Sequence, residues 1–224
     1  MNKKIYKLIN DLYFEHDLRE EDLVYLLDNM DSEDVDYLLG LAYNTRNNHY
    51  GKAIYLRGLI EFSNYCKREC KYCGINTFNR DVKRYRMTKK EIVDACKEGY
   101  KLGFRTFVLQ GGEDPYFTDK RICDIVKAVK KLFPDVAITL SLGERPIESY
   151  RAMKFAGADR FLLRHETSNP GLYRWLHPFS SLDSRIGCLY SLKYTGFQTG
   201  AGFMVGLPWY TNKDYAHDFK GLGA

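Results

Sequence analysis

The chain has 224 residues, 45% of them hydrophobic and 28% charged, and a net charge of +5 from 34 Lys and Arg against 29 Asp and Glu. That length supports one sizeable domain with a buried core, and no stretch approaches the roughly 18 apolar residues of a membrane span. The charge excess is mild and spread out, which gives no argument for nucleic acid and suits an anionic small molecule or an acidic partner protein.

Residues 1–50 read as charged helices. Ile5, Leu8, Ile9, Leu12 and Tyr13 recur at helical spacing, and Leu23, Leu26 and Leu27 share a face of a second helix. Asp31 and Ser32 are good N-caps for a third helix carrying Val35, Leu38, Leu39 and Ala42. Asn47 to Gly51 is expected to break it, leaving His49 in a loop without chemistry. Residues 1–52 are therefore expected to form a helical collar packed on a main domain, residues 53–224, because short helices of this length make a small core to stand alone.

From Ala53 strands and helices alternate. The expected strands are Ile54 to Phe62, Arg105 to Gln110, Val136 to Leu142, Asp159 to Leu163 and Phe197 to Val205. A capping box, Thr88-Lys89-Lys90-Glu91, opens the first helix between them. Further helices are expected from Asp119 to Phe133 and Glu148 to Ala156, helical segments from about Pro170 to Thr195, and a last helix from about Asn212. This alternation implies parallel βαβ units in an α/β fold, a partial (β/α) TIM-type barrel of about five strands with the fifth at an edge. The site of such a barrel lies at the C-terminal ends of its strands, and polar clusters follow each of these strands. With about five strands, the chain is expected to be the N-terminal part of a longer protein, or a truncated gene product.

The first strand leads into Glu61-Phe62-Ser63-Asn64-Tyr65-Cys66-Lys67-Arg68-Glu69-Cys70-Lys71-Tyr72-Cys73, which holds three of the six cysteines at C-x3-C-x2-C spacing. Cysteine thiolates are the usual ligands of iron–sulfur clusters. Three ligands on a four-iron cluster leave one iron open, as in a catalytic metal site. Lys67, Arg68 and Lys71 are expected to favour ionised thiols. Cys96, Cys123 and Cys188 fall in helical patterns and read as single buried thiols. With no apolar signal-peptide core at the N-terminus, they point to a reducing cytoplasm.

The cysteine spacing together with the barrel pattern resembles the radical S-adenosylmethionine (SAM) superfamily. There an open iron chelates SAM, and reductive cleavage of SAM releases a 5′-deoxyadenosyl radical. The resemblance implies a metal-binding site in which Cys66, Cys70 and Cys73 hold a 4Fe–4S cluster. Gly112 and Glu113, in the Gly-Gly-Glu-Asp loop after the second strand, would contact the methionyl amino group, although an ordinary βα turn reads the same way. Tyr72 would offer backbone atoms to the adenine amine, and Ser141 and Glu144 would face the cavity. Glu166 would accept from both ribose hydroxyls, and Arg185 would neutralise the SAM carboxylate. Met204 would wall the adenine, or is plain core. Thr139, on the inward face with Ser141, and Arg164, able to grip a carboxylate bidentately, would face substrate. A structural Arg164–Glu166 pair is the alternative.

A narrower resemblance rests on Ile60-Glu61-Phe62-Ser63-Asn64, Lys83-Arg84-Tyr85-Arg86-Met87-Thr88, Gly112-Glu113-Asp114-Pro115-Tyr116, Thr139-Leu140-Ser141-Leu142-Gly143-Glu144, Arg164-His165-Glu166-Thr167 and Thr199-Gly200-Ala201-Gly202. These stretches resemble the HydE-type maturases of FeFe hydrogenase, in the biotin synthase-like branch. The resemblance implies a role in assembling the hydrogenase H-cluster. It also implies an organometallic iron–cysteine precursor as small-molecule substrate, ferredoxin or flavodoxin as electron donor and other maturases as partners, with no nucleic acid and no membrane. Trp209-Tyr210-Thr211 after Pro208 departs from the family's Gly-Gln-Thr. Methylornithine synthase, biotin synthase and an inactive truncated iron-binding fragment are the alternatives.

Overall fold

The structure, a computed structural model, describes residues 2–223. The chain forms two compact units, one from the residues up to Tyr55 together with those from Met204 onward, the other from Leu56 to Phe203. The sequence places one boundary, after residue 52; in the structure the last 21 residues group with the N-terminal helices. The first unit holds α1 (Lys3–Glu15), α2 (Glu20–Asn29), α3 (Ser32–Tyr50) and α9 (Asn212–Gly223). Asp31 caps α3 in a reciprocal capping box with Asp34. The helix runs on to Tyr50 before Gly51 takes a positive φ of 63°, so His49 lies in its last turn and not in a loop. Ile5, Leu8, Ile9, Leu18 and Leu26 form the buried core of this unit. Lys220 of α9 reaches Asp17 at 2.6 Å.

The second unit is the α/β body. Its strands are β1 (Gly58–Ser63), β2 (Thr106–Gly111), β3 (Ala137–Ser141), β4 (Arg160–Leu162) and β5 (Gln198–Gly200), in sequential order in one parallel sheet. Its helices are α4 (Lys89–Lys101), α5 (Asp119–Leu132), α6 (Ile147–Phe155), α7 (Pro170–Leu176) and α8 (Leu182–Tyr194). Alternation along the strands sorts the two faces. Ile60, Phe62, Phe107, Leu109, Ile138, Leu140 and Phe161 are buried in one cluster with Ile122, Ile125, Val126 and Val129, the i, i+3, i+4, i+7 stripe of α5. The alternate residues pair in register across the sheet, Leu59 with Val108, Thr139 and Arg160, and Glu61 with Gln110 and Ser141. That second face is the polar one. Cys96 is buried in the core, whereas Cys123 and Cys188 are only partly buried.

Two expected strands differ in their limits. Ile54, Tyr55 and Leu56 are 71–82% exposed and stay outside the sheet, so β1 starts at Gly58. The helical segments expected from Pro170 to Thr195 are α7 and α8, separated by a turn where Phe179 takes a φ of 63°. The fifth strand is three residues long, and beyond Gly200 only one isolated bridge, Phe203 to Glu166, continues its line. β5 has a partner on one side only, and its small residues bring few contacts to hold a longer strand.

Asp114 fixes the geometry of the strand ends. Arg86 grips it bidentately, Nε to Oδ2 at 2.7 Å and Nη2 to Oδ1 at 2.9 Å, and Ser63 Oγ donates to Oδ2 at 2.7 Å. Burial pushes the Asp114 carboxyl up, but Arg86, Ser63 and the Tyr116 N–H outweigh it and hold the group below the usual carboxylate range. With the folded value depressed, native protein binds fewer protons than unfolded protein in acid. The contribution is therefore complete above the unfolded value and lost as pH falls through the folded one. Asp114→Asn is expected to lose about 3 kcal/mol at pH 7. Its deficit against the parent should shrink as pH falls through the depressed folded value. Urea unfolding at pH 7 and across the acid range checks this; a deficit that does not change with pH would contradict it.

Candidate active site

At the end of β1 the register shifts between Glu61 and Ser63, a bulge that redirects the chain into the cysteine loop. Arg84 then clamps that loop: Nη1 donates to the carbonyls of Asn64 and Ile75, and Nη2 to those of Asn76 and Asn79 at 2.7 and 2.9 Å. Gly112 lets the loop lie against the end of β2, because a Cβ there would collide with the Tyr65 carbonyl and stand 2.6 Å from Cys66 Cβ. The loop thus carries Cys66, Cys70 and Cys73 into one cavity of about 240 Å³ at the strand ends. Tyr72, Gly112, Glu113, Ser141, Arg164, Glu166 and Arg185 line the same cavity.

Two carboxylates organise the cations around it. Glu113 accepts from Arg68 Nε at 2.7 Å, lies 3.8 Å from Lys67 Nζ and accepts from the Glu144 N–H at 3.1 Å. Gly143, at φ 73°, makes room for it. Glu144 takes Arg68 Nη2 at 3.1 Å, Arg185 Nε at 2.7 Å and the hydroxyl of Ser184 at 3.2 Å. Arg185 also donates to the Arg164 carbonyl at 3.0 Å. Burial works against the charge on Arg185, yet Tyr173 and Glu144 raise its pKa on balance.

This network corrects one expectation. Arg68 and Lys67 are engaged by carboxylates, and at Cys66 and Cys70 burial outweighs the cations nearby. Burial pushes the Cys66 thiol up. Burial, then Cys66 and Cys73, push Cys70 up to about 11. Three thiols from one loop are the usual donor set of an iron–sulfur cluster, and Cys66, Cys70 and Cys73 line the same cavity.

Glu166 is the most constrained residue in the cavity. It is 4% exposed and holds a left-handed φ of 68° without being glycine. Its Oε1 accepts from the Tyr72 hydroxyl at 3.2 Å and lies 3.5 Å from Arg164 Nε, while its buried Oε2 accepts no hydrogen bond. A buried carboxylate oxygen with no donor is costly, and strain of this kind gathers at ligand sites. The Arg164 side chain is 60% exposed, so this pair is half in solvent.

The remaining expected residues fall outside this lining. Thr139 sits a layer deeper on the Ser141 face and is 9% exposed. Glu144 reaches the cavity through Arg68 and Arg185. Met204 belongs to the other compact unit. Sequence reasoning missed Arg84, Asp114 and His177. His177 is 1% exposed, and its Nε2 lies 2.9 Å from the Tyr72 hydroxyl. Burial, then Arg185, push its pKa down to about 4, so it is neutral at pH 7. Arg84 and Asp114 stand in the Lys83–Thr88 and Gly112–Tyr116 stretches, where Arg84 beside Tyr85 and Asp114 before Pro115 were the available signal.

A parallel α/β body with thiols, a strained carboxylate and ion pairs at its strand ends defines a cofactor-dependent α/β enzyme fold. Residues 60–220 match the model of the radical SAM superfamily, and the chain belongs to that superfamily, whose enzymes use a 4Fe–4S cluster and SAM. It is 50% identical over 181 residues to the FeFe hydrogenase maturase subunit HydE of Thermotoga maritima, covering 81% of this chain and 51% of that protein. It is 31% identical over 194 residues to the 3-methylornithine synthase of Methanosarcina barkeri, covering 86% and 55%. The crystal structure of methylornithine synthase superposes with a TM-score of 0.86 at 29% identity, over 96% of this chain and 63% of that one. The chain spans about half the length of the curated relatives it matches. Among the described residues no helix is long and apolar enough to cross a membrane.

The close approach at Gly112 makes a prediction. Gly112→Ala forces the cysteine loop off β2 and is expected to destabilise the fold by about 1–3 kcal/mol. Gly111→Ala meets the Phe62 ring at 3.2 Å and the Ser63 carbonyl at 3.4 Å, both looser than the contacts at Gly112, and should cost less. Denaturant unfolding of both variants measures the difference; equal costs would contradict the packing described.

Proposed function

We propose that this chain holds a 4Fe–4S cluster on Cys66, Cys70 and Cys73, binds SAM beside it and acts in assembly of the FeFe-hydrogenase H-cluster. The observation that carries this is the convergence of three thiols and the strained Glu166 on one cavity, in a chain 50% identical to HydE over 181 residues. The identity of 50% against 31% favours the maturase over methylornithine synthase. When bound, the cluster and SAM supply a 5′-deoxyadenosyl radical.

The chain's own residues bind and orient. Glu166 offers its unused Oε2 to the ribose hydroxyls, and these donors remove the cost of that orphaned atom. Arg185, held by Glu144, faces the SAM carboxylate, while Gly112, Glu113 and Ser141 line the methionyl end and the Tyr72 backbone lies at the adenine. Arg164, exposed and loosely paired, turns its fork to the carboxylate of a small organometallic iron–cysteine precursor. Thr139 faces the same substrate. The electron comes from a small donor protein such as ferredoxin or flavodoxin, other maturases act as partners, and the cytoplasm keeps the thiols reduced.

Charge-assisted hydrogen bonds contribute roughly 1.5–3 kcal/mol. Glu166→Gln is therefore expected to weaken SAM binding about ten- to a hundredfold. Arg164→Lys loses the bidentate fork for substrate but should leave SAM affinity within about threefold. Calorimetric titration of SAM into reconstituted protein of equal iron content tests both. Normal binding by the Glu166 variant with loss in the Arg164 variant would reverse the two roles.

A further inference from the structure

The carboxyl end of α7 grips the cysteine loop at three points. The Lys71 N–H donates to the Leu176 carbonyl at 3.0 Å. The Lys71 ammonium lies 4.7 Å over the Trp175 ring, and the Tyr72 hydroxyl lies 2.9 Å from His177 Nε2. Each contact falls between Cys70 and Cys73, in the narrowest spacing of the motif.

His177 cannot turn away from this contact. Its ring stacks on Tyr173 at 4.2 Å and meets the Tyr72 ring edge-on at 5.4 Å. Its Nδ1 lies 3.2 Å from the Tyr173 carbonyl. A carbonyl only accepts, so Nδ1 carries the ring proton and Nε2 is the acceptor. The Tyr72 hydroxyl has one proton and faces two acceptors, His177 Nε2 and Glu166 Oε1.

We infer that His177 is a positioning residue: it accepts the Tyr72 hydroxyl, fixes the Cys70–Cys73 turn to α7, and takes the whole of that hydrogen bond when a ligand's hydroxyls satisfy Glu166. The ligand-coupled half rests on the proposed SAM site; the fixing of the loop does not. A histidine is suited to this work because its tautomer is set from behind by a backbone carbonyl. Leucine of similar size fills the space but accepts nothing. Glutamine places an amide oxygen near the position of Nε2.

Hydrogen exchange on the metal-free full chain at pH 7, read by mass spectrometry, tests the inference. His177→Leu and Tyr72→Phe should each make the peptide spanning residues 64–76 exchange roughly five- to tenfold faster, the change from losing one net hydrogen bond. The double variant should exchange no faster than the faster single, since both remove the same bond. His177→Gln should stay close to the parent. The α5 peptide should not change in any variant, which controls for global loosening. Unchanged exchange in His177→Leu, additive effects in the double, or a His177→Gln variant as fast as the leucine one would each overturn the inference. If His177→Leu also loosens α5, Tyr72→Phe and His177→Gln decide: an unchanged phenylalanine variant overturns it. Iron retention by the parent chain is measured separately, so failure of the cluster reading leaves the exchange result decisive for the loop.

Discussion

The site depends on how the buried Asp114 carboxylate is satisfied. Taking such a group out of water costs several kcal/mol unless its lone pairs are used. Here Arg86, Ser63 and the Tyr116 N–H use them. Those partners come from the end of β1, from the segment before α4 and from the loop after β2. One carboxylate therefore ties together the places where the cysteine loop begins and where Glu113 stands. Arg84 does the same from the far side of the loop through backbone carbonyls. The loop is held by contacts that need no metal.

The same economy of charge explains the state of the thiols. Arg68 and Arg185 lie beside the cavity, but Glu113 and Glu144 hold them. Burial keeps Cys66 and Cys70 protonated, so occupation by a metal centre must expel protons. Glu166 carries the complementary imbalance: a strained backbone and an oxygen without a donor. A ligand that brings hydroxyls to Oε2 recovers a cost the fold already bears, and that is a physical reason for affinity at this point.

Much of this was legible in the sequence. Thr88 and Glu91 form the capping box their spacing predicts, and Asp31 caps α3. The alternation of Phe107, Leu109, Ile138 and Leu140 with Val108, Gln110, Thr139 and Ser141 separates the helix-covered face of the sheet from the polar one. Local chemistry did not reveal the limits of β1 and β5, because an apolar run such as Ile54-Tyr55-Leu56 becomes strand only where a neighbour pairs with it. The engagement of Arg68 and Arg185 was hidden for the same reason, since Glu144 lies 76 residues from one and 41 from the other. His177 lacked any motif; its role comes from a break between α7 and α8 that only the folded chain displays.

The most direct test is anaerobic reconstitution with iron and sulfide followed by electron paramagnetic resonance of the dithionite-reduced chain, with and without SAM. The account predicts about four irons per chain, a signal that changes when SAM is added, and loss of both in the Cys66→Ala, Cys70→Ala and Cys73→Ala variants but not in Cys123→Ala. Iron retained in full by Cys70→Ala, or a cluster signal indifferent to SAM, would contradict it.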